Sequence, residues 1–74
     1  MKFVSIEGVK DYDLRMHAMR RGYVKMRDGR IAKLVSWPGN QRRRGRYCRL
    51  ETGMGTRFTL KCEMVEAMAV GDVE

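Results

Sequence analysis

The sequence GYVKMRDGRIAKL, residues 22–34, is the stretch that decides the fold class. Apolar and polar residues alternate on both sides of Asp28-Gly29, which predicts two antiparallel strands joined by a tight turn. Asp-Gly favours the type I′ hairpin turn, because both central residues of that turn need a positive φ. The apolar positions of the two strands are predicted to enter the core, and they are Val24, Met26, Ala32 and Leu34.

The same alternation continues on the C-terminal side. Residues 46–51 and 57–62 are predicted as two further strands, separated by a turn that contains two glycines. Pairing them as a hairpin gives one apolar face and one charged face, as expected for a hairpin that covers a core. The apolar face would contain Cys48, Leu50, Phe58, Leu60 and Cys62, and the charged face Tyr47, Arg49, Glu51, Thr59 and Lys61. Residues 63–70 predict one more short strand or a helical turn, and residues 71–74 are predicted to be frayed.

The N-terminal side carries a weaker pattern. Residues 2–7 alternate and predict a short strand. Residues 13–21 are compatible with a short helix that has Asp13 as N-cap and Gly22 after its end, or with an extended lead-in. A chain of 74 residues makes one domain. We therefore expect a single domain over 1–74, with a strand and short helix as an extension at 1–21 and a β-barrel at 22–70.

The sequence pattern of residues 22–34 is Gly-x-Val-x-x-x-Asp-Gly-Arg followed by a second apolar strand. It resembles the pattern of small SH3-like barrels of the Tudor and KOW type. Those barrels commonly finish with a hairpin that leads into a short terminal strand, and the resemblance extends over residues 22–68. It implies an all-β fold with minor α content, built as a small antiparallel SH3-like barrel. Such barrels bind nucleic acid, ribosomal RNA or peptides, and the fold alone does not choose among them. The small, Met-rich and Arg-rich composition also resembles accessory proteins of bacteriophages.

Positive charge is the strongest compositional signal. The net charge is +7, and residues 15–49 hold twelve Lys or Arg against one acid. Guanidinium groups bind phosphate oxygens, and aromatic side chains stack on exposed bases. The sequence therefore predicts binding to RNA or DNA, with single strands as suitable ligands. The predicted binding residues are Arg42, Arg43, Arg44, Arg46, Arg49, Lys33, Arg20, Arg21, Trp37 and Tyr47.

Several alternatives stay open from the sequence, among them a structural component of a larger assembly. The Arg-rich loop at 41–46 could be an ordinary solvated loop, with Trp37 as a core anchor. The chain could also be a protein-interaction module that docks on a host protein, or that forms a homo-oligomer through an exposed edge strand.

Catalysis is not expected. A small chain leaves little room for an enclosed cleft, and the sequence carries no paired carboxylates, no nucleophilic trio and no glycine-rich phosphate loop. We expect no metal site and no cofactor, because neither Cys48 nor Cys62 has ligand-spaced companions. Both are predicted to be buried thiols. We further expect a cytoplasmic protein without a membrane partner, because no apolar run or secretory leader is visible.

Overall fold

A computed structural model of the protein describes residues 2–38 and 46–70, which form one antiparallel sheet of six strands and one helix. The strands are β1 (Lys2–Ser5), β2 (Tyr23–Met26), β3 (Ile31–Ser36), β4 (Tyr47–Glu51), β5 (Arg57–Lys61) and β6 (Val65–Val70). The helix α1 is Asp11–Met19, and a 3-10 turn at Cys62–Met64 precedes β6. The strand order is β1-β6-β2-β3-β4-β5, so the sheet is not closed and its edges are β1 and β5. The predicted mostly-β fold class is confirmed.

The β2–β3 hairpin turns at Asp28-Gly29 as predicted, but not with type I′ geometry. Gly29 has a φ of 95°, while Asp28 is not among the residues with positive φ. The Gly29 N–H donates to Met26 O at 2.9 Å, and the Met26 N–H donates to Arg30 O at 2.8 Å. This pattern is a three-residue loop in which the glycine alone is left-handed. Asp28 keeps a negative φ and accepts the Arg30 N–H at 3.0 Å through its side chain, which is a common role for Asp in turns.

Strand alternation sorts the side chains onto two faces, as predicted. The inward side chains Val24, Met26, Ala32, Leu34, Cys48 and Leu50 are all buried. Phe58 and Leu60 on the edge strand β5 pack against this core and remain partly exposed, and Cys62 is buried in the 3-10 turn. The outward side chains of β2 to β5 define the other face, on which Tyr47, Arg49, Thr59 and Lys61 are exposed.

Residues 2–21 contribute to the same sheet and core. β1 pairs with β6, with Val4 opposite Met68, and α1 packs on the inner side through Leu14 and Ala18. The helix begins at Asp11 rather than at Asp13, and the N-cap position is Lys10, which makes no side-chain capping bond. Asp13 therefore lies within the first turn, where its charge faces the positive end of the helix.

A tight contact closes the C-terminal end of α1. The Gly22 N–H donates to His17 O and the Arg21 N–H to Ala18 O, both at 2.9 Å. Arg21 has a φ of 56°, so a Schellman motif forms with arginine in the position usually taken by glycine. Gly22 follows it, and there a Cβ would overlap the His17 ring. His17 Nε2 lies 2.8 Å from the carbonyl oxygen of Tyr23, which requires Nε2 to carry the hydrogen.

Candidate nucleic-acid interface

The ten predicted binding residues separate into three groups. Arg42, Arg43 and Arg44 lie outside the described residues. Four others, Arg20, Arg21, Trp37 and Arg46, lie around α1 and its contacts. The remaining three, Lys33, Tyr47 and Arg49, lie on the outward face of the sheet.

Trp37 and Arg46 are held in place by one carboxylate. Trp37 is 7% exposed, and its Nε1–H donates to Asp11 Oδ1 at 3.1 Å. Arg46 Nη1 donates to Asp11 Oδ2 at 3.0 Å. A buried indole has no free face for a base, so Trp37 is a core anchor in this conformation. The Arg46 guanidinium already has an anionic partner, which reduces its availability for phosphate.

Arg20 and Arg21 follow the last turn of α1. Arg21 Nη1 donates to Ala18 O at 2.9 Å and to Val35 O at 3.2 Å. Its side chain therefore connects the helix end to β3. Arg20 is exposed, but it lies at the end of a helix that packs on the inner side of the sheet.

The outward face of β2 to β5 gathers cations from four strands. We use the name basic face for this surface, whose charged and aromatic members are Tyr23, Lys25, Lys33, Tyr47, Arg49, Arg57 and Lys61. Glu51 is the acid that shares this face. Lys25, Arg57 and Lys61 were not among the predicted binding residues, although the predicted hairpin already placed Lys61 on the charged face with Arg49. The pairing of β3 with β4, which joins the two hairpins into one surface, is not revealed by local alternation.

The strand register arranges the basic face in rows. One row crosses four strands, with Tyr23 opposite Lys33, Lys33 opposite Glu51, and Glu51 opposite Arg57. A bulge between Leu34 and Ser36 separates it from the next row, in which Arg49 is opposite Ser36 and Thr59. In the last row Tyr47 is opposite Lys61. Each row thus places a cation beside an aromatic or polar side chain.

The cations of the basic face lack ion-pair partners within residues 2–38 and 46–70. The ion pairs of this part of the chain are Arg30 with Asp28 at 2.8 Å and Arg46 with Asp11 at 3.0 Å. Hydrogen bonds from Arg30, chiefly from its backbone N–H, lower the pKa of Asp28, so this acid stays ionised and engaged at the hairpin turn. Unpaired like charges on one surface attract polyanions and favour phosphate binding.

Tyr23 is an aromatic residue of the basic face that was not among the predicted binding residues. It is 36% exposed, and Tyr47 is 52% exposed. Lys33 Nζ lies 5.8 Å from the centroid of the Tyr23 ring, within the range of a cation–π contact. The available signal was the outward register of Tyr23 beside Lys25. This position indicates a binding role for Tyr23 only when Lys33 is known to lie opposite Tyr23 on β3.

A cavity of about 790 Å³ lies beside the 3-10 turn that precedes β6. Its wall includes the acids Glu7, Glu63 and Glu66 together with Arg27, Arg46 and Lys61. Arg27 Nε donates to Glu63 O at 2.8 Å, so the exposed Arg27 side chain already has a partner within the chain. The mixed signs make this cavity a poorer site for a polyanion than the basic face.

The two cysteines are free and buried. Burial raises the pKa of Cys48 to about 12, and the neighbouring Cys62 adds to the shift. Burial also raises the pKa of Cys62, against the opposing charge of Arg46. Both thiols are therefore protonated at neutral pH, which makes them weak nucleophiles.

Comparisons with protein families, with curated proteins and with solved structures show no match to this chain. Among the described residues, no helix has both the length and the apolar composition required to cross a membrane.

Proposed function

We propose that the protein is a small non-catalytic module that binds RNA or DNA through the basic face, extended by Arg42, Arg43 and Arg44. The observation that carries this proposal is the set of five cations on four adjacent strands without ion-pair partners in the described chain. Each Lys or Arg that meets a phosphate releases condensed counterions, so binding gains free energy from clustered charge.

The connection between the two predicted parts of the site supports the proposal. Residues 39–45 join the end of β3 to the start of β4, and both strands carry cations of the basic face, Lys33 and Arg49. A ligand on this face would therefore lie close to the points where the arginine-bearing segment leaves and re-enters the sheet. This continuity in the chain makes one shared phosphate-binding surface the simplest arrangement.

We further propose that residues 22–70 belong to the SH3-like class. Four of their five strands, β2 to β5, run as a meander, and the last strand, β6, returns to pair with β2. The β4–β5 hairpin leads through the 3-10 turn into β6, which is the ending that the Tudor and KOW barrels have.

A protein partner is the second candidate, and the edge of β5 favours it. Backbone hydrogen bonds close both ends of the β4–β5 pair: the Thr52 N–H donates to Thr56 O, and the Cys62 N–H donates to Arg46 O at 2.9 Å. By alternation, the backbone groups of Arg57, Thr59 and Lys61 point away from β4. Within the described residues no strand covers them, so a partner chain could add a strand here.

Titration with labelled oligonucleotides at several salt concentrations tests the nucleic-acid proposal. Phosphate contacts predict a linear fall of log affinity with log salt. An absence of binding at low salt would favour the protein partner instead.

A further inference from the structure

We infer that the ligand of the basic face is single-stranded nucleic acid, with bases stacked on Tyr23 and Tyr47. This inference rests on the proposed nucleic-acid binding and names its ligand class. It follows from the placement of the two aromatic rings and from the shape of the surface between them.

Both rings lie on the outward face with cations beside them. Tyr23 alternates with the buried Val24, and Tyr47 with the buried Cys48. Lys33 Nζ is 5.8 Å from the Tyr23 ring centroid, and Lys61 is directly opposite Tyr47 in the register. A base stacked on either ring would thus have its own phosphate near an ammonium group.

The separation of the rings suits an extended strand. Tyr23 and Tyr47 lie on β2 and β4, which are two strand spacings, or about 10 Å, apart. The β4 residue in the same row as Tyr23 is Glu51. Tyr47 lies four residues from Glu51 along β4, so the two rings are also displaced by about 13 Å in the strand direction. The rings would therefore stack on bases that are not adjacent in the ligand, with Arg49 between them to meet the intervening phosphates.

A duplex cannot use these rings. In a double helix each base face is already covered by its neighbours, so an aromatic side chain gains stacking only from unpaired bases. Sequence-specific duplex recognition usually inserts a helix or a two-stranded ribbon into the major groove. The basic face instead presents the outward side of a sheet, and α1 packs on the inward side.

The test compares single-stranded dT20 and U20 with a 20-base-pair DNA duplex, each fluorescently labelled, by anisotropy at low salt. The parent protein should bind either single strand more tightly than the duplex. Tyr23→Ala and Tyr47→Ala should each raise the Kd for dT20 by about 5- to 150-fold, which corresponds to the loss of one stacked base. Tyr23→Phe and Tyr47→Phe retain the ring and should bind like the parent protein.

Tyr12→Ala is the matched control. Tyr12 is 65% exposed and lies on α1, so its removal should leave the Kd unchanged. The salt slope should also stay unchanged in both sheet-face Ala variants, because stacking releases no counterions, and thermal unfolding shows whether each variant is folded. Tighter binding of the duplex by the parent, or parent-like binding by both folded Ala variants, would overturn the single-strand inference and leave the proposed function standing. If no oligonucleotide binds the parent at low salt, the proposed function itself fails.

Discussion

Asp11 and Arg46 form an ion pair at 3.0 Å that joins the first turn of α1 to the start of β4. The second oxygen of the same carboxylate accepts the Trp37 indole N–H at 3.1 Å. Trp37 and Arg46 lie on either side of residues 38–45, so one carboxylate fixes both ends of the segment that carries Arg42 to Arg44. The pair lies about one-third exposed to solvent, so its contribution is that of a partly screened interaction.

Asp11→Ala should lower the free energy of unfolding by about 1–2 kcal/mol, because Trp37 and Arg46 both lose their acceptor. Urea denaturation followed by Trp37 fluorescence measures this change, since the chain has one Trp. Asp13→Ala is the control: it removes an acid from the same helical turn, and its side chain accepts no hydrogen bond from the described residues. Equal destabilisation by the two variants would show that helix-end charge, and not the contact with Trp37 and Arg46, explains the effect.

Gly22→Ala should be strongly destabilising, by about 1–3 kcal/mol or more, because the added methyl group overlaps the His17 ring. Gly53→Ala is the matched control, since a Cβ at Gly53 has no atom within 4 Å and should have little effect. Removing the ring by His17→Ala should reduce the additional cost of Gly22→Ala, and a double-mutant cycle of denaturation midpoints measures that coupling. Additive effects of the two substitutions would contradict the steric explanation.

Cys48 and Cys62 should react slowly with a thiol reagent at pH 8 in the native protein and quickly in urea. Burial raises the pKa of Cys48 from its ordinary value of 9.0 to about 12, so the folded state favours the protonated thiol. The contribution of the protonated Cys48 thiol to the free energy of unfolding is fully present below pH 9 and is lost as the pH rises towards 12, because the thiol ionises first in the unfolded chain. Rapid labelling of both native thiols at pH 8 would contradict their burial.

Much of the fold was predictable because it depends on local alternation. Period-two patterns identified the strands of residues 22–62 and placed Val24 and Leu50 inside and Arg49 outside. The turn glycine at Gly29 was also predictable, whereas the type I′ geometry was not, because Asp28 stabilises the alternative loop through its own side chain. The pairing of β1 with β6 and the start of α1 at Asp11 depend on contacts between distant parts of the chain, which alternation does not encode.

The candidate site was predictable only in part for the same reason. Arg49 and Tyr47 were assigned to the outward face from their own strand. Trp37 was included among the binding residues because it borders an arginine run, and the alternative role as a core anchor is the one it has, since its indole N–H donates to a part-buried carboxylate 26 residues earlier in the chain. Tyr23 was overlooked because its partner Lys33 lies across a hairpin, where only the strand register brings them together.

The measurement that tests the proposed function most directly is the salt dependence of dT20 binding by the parent and two sets of charge variants. Lys33→Ala/Arg49→Ala removes two cations of the basic face, and Arg42→Ala/Arg43→Ala/Arg44→Ala removes the arginine run. Each lost phosphate contact should reduce the slope of log affinity against log salt by about 0.7 for a single strand. Arg15→Ala, on the exposed side of α1, is the control and should keep the parent slope. We predict slopes reduced by up to about 1.4 in the double variant and about 2.1 in the triple variant. Parent-like slopes in both, or no binding of dT20 by the parent at low salt, would contradict phosphate binding by this surface.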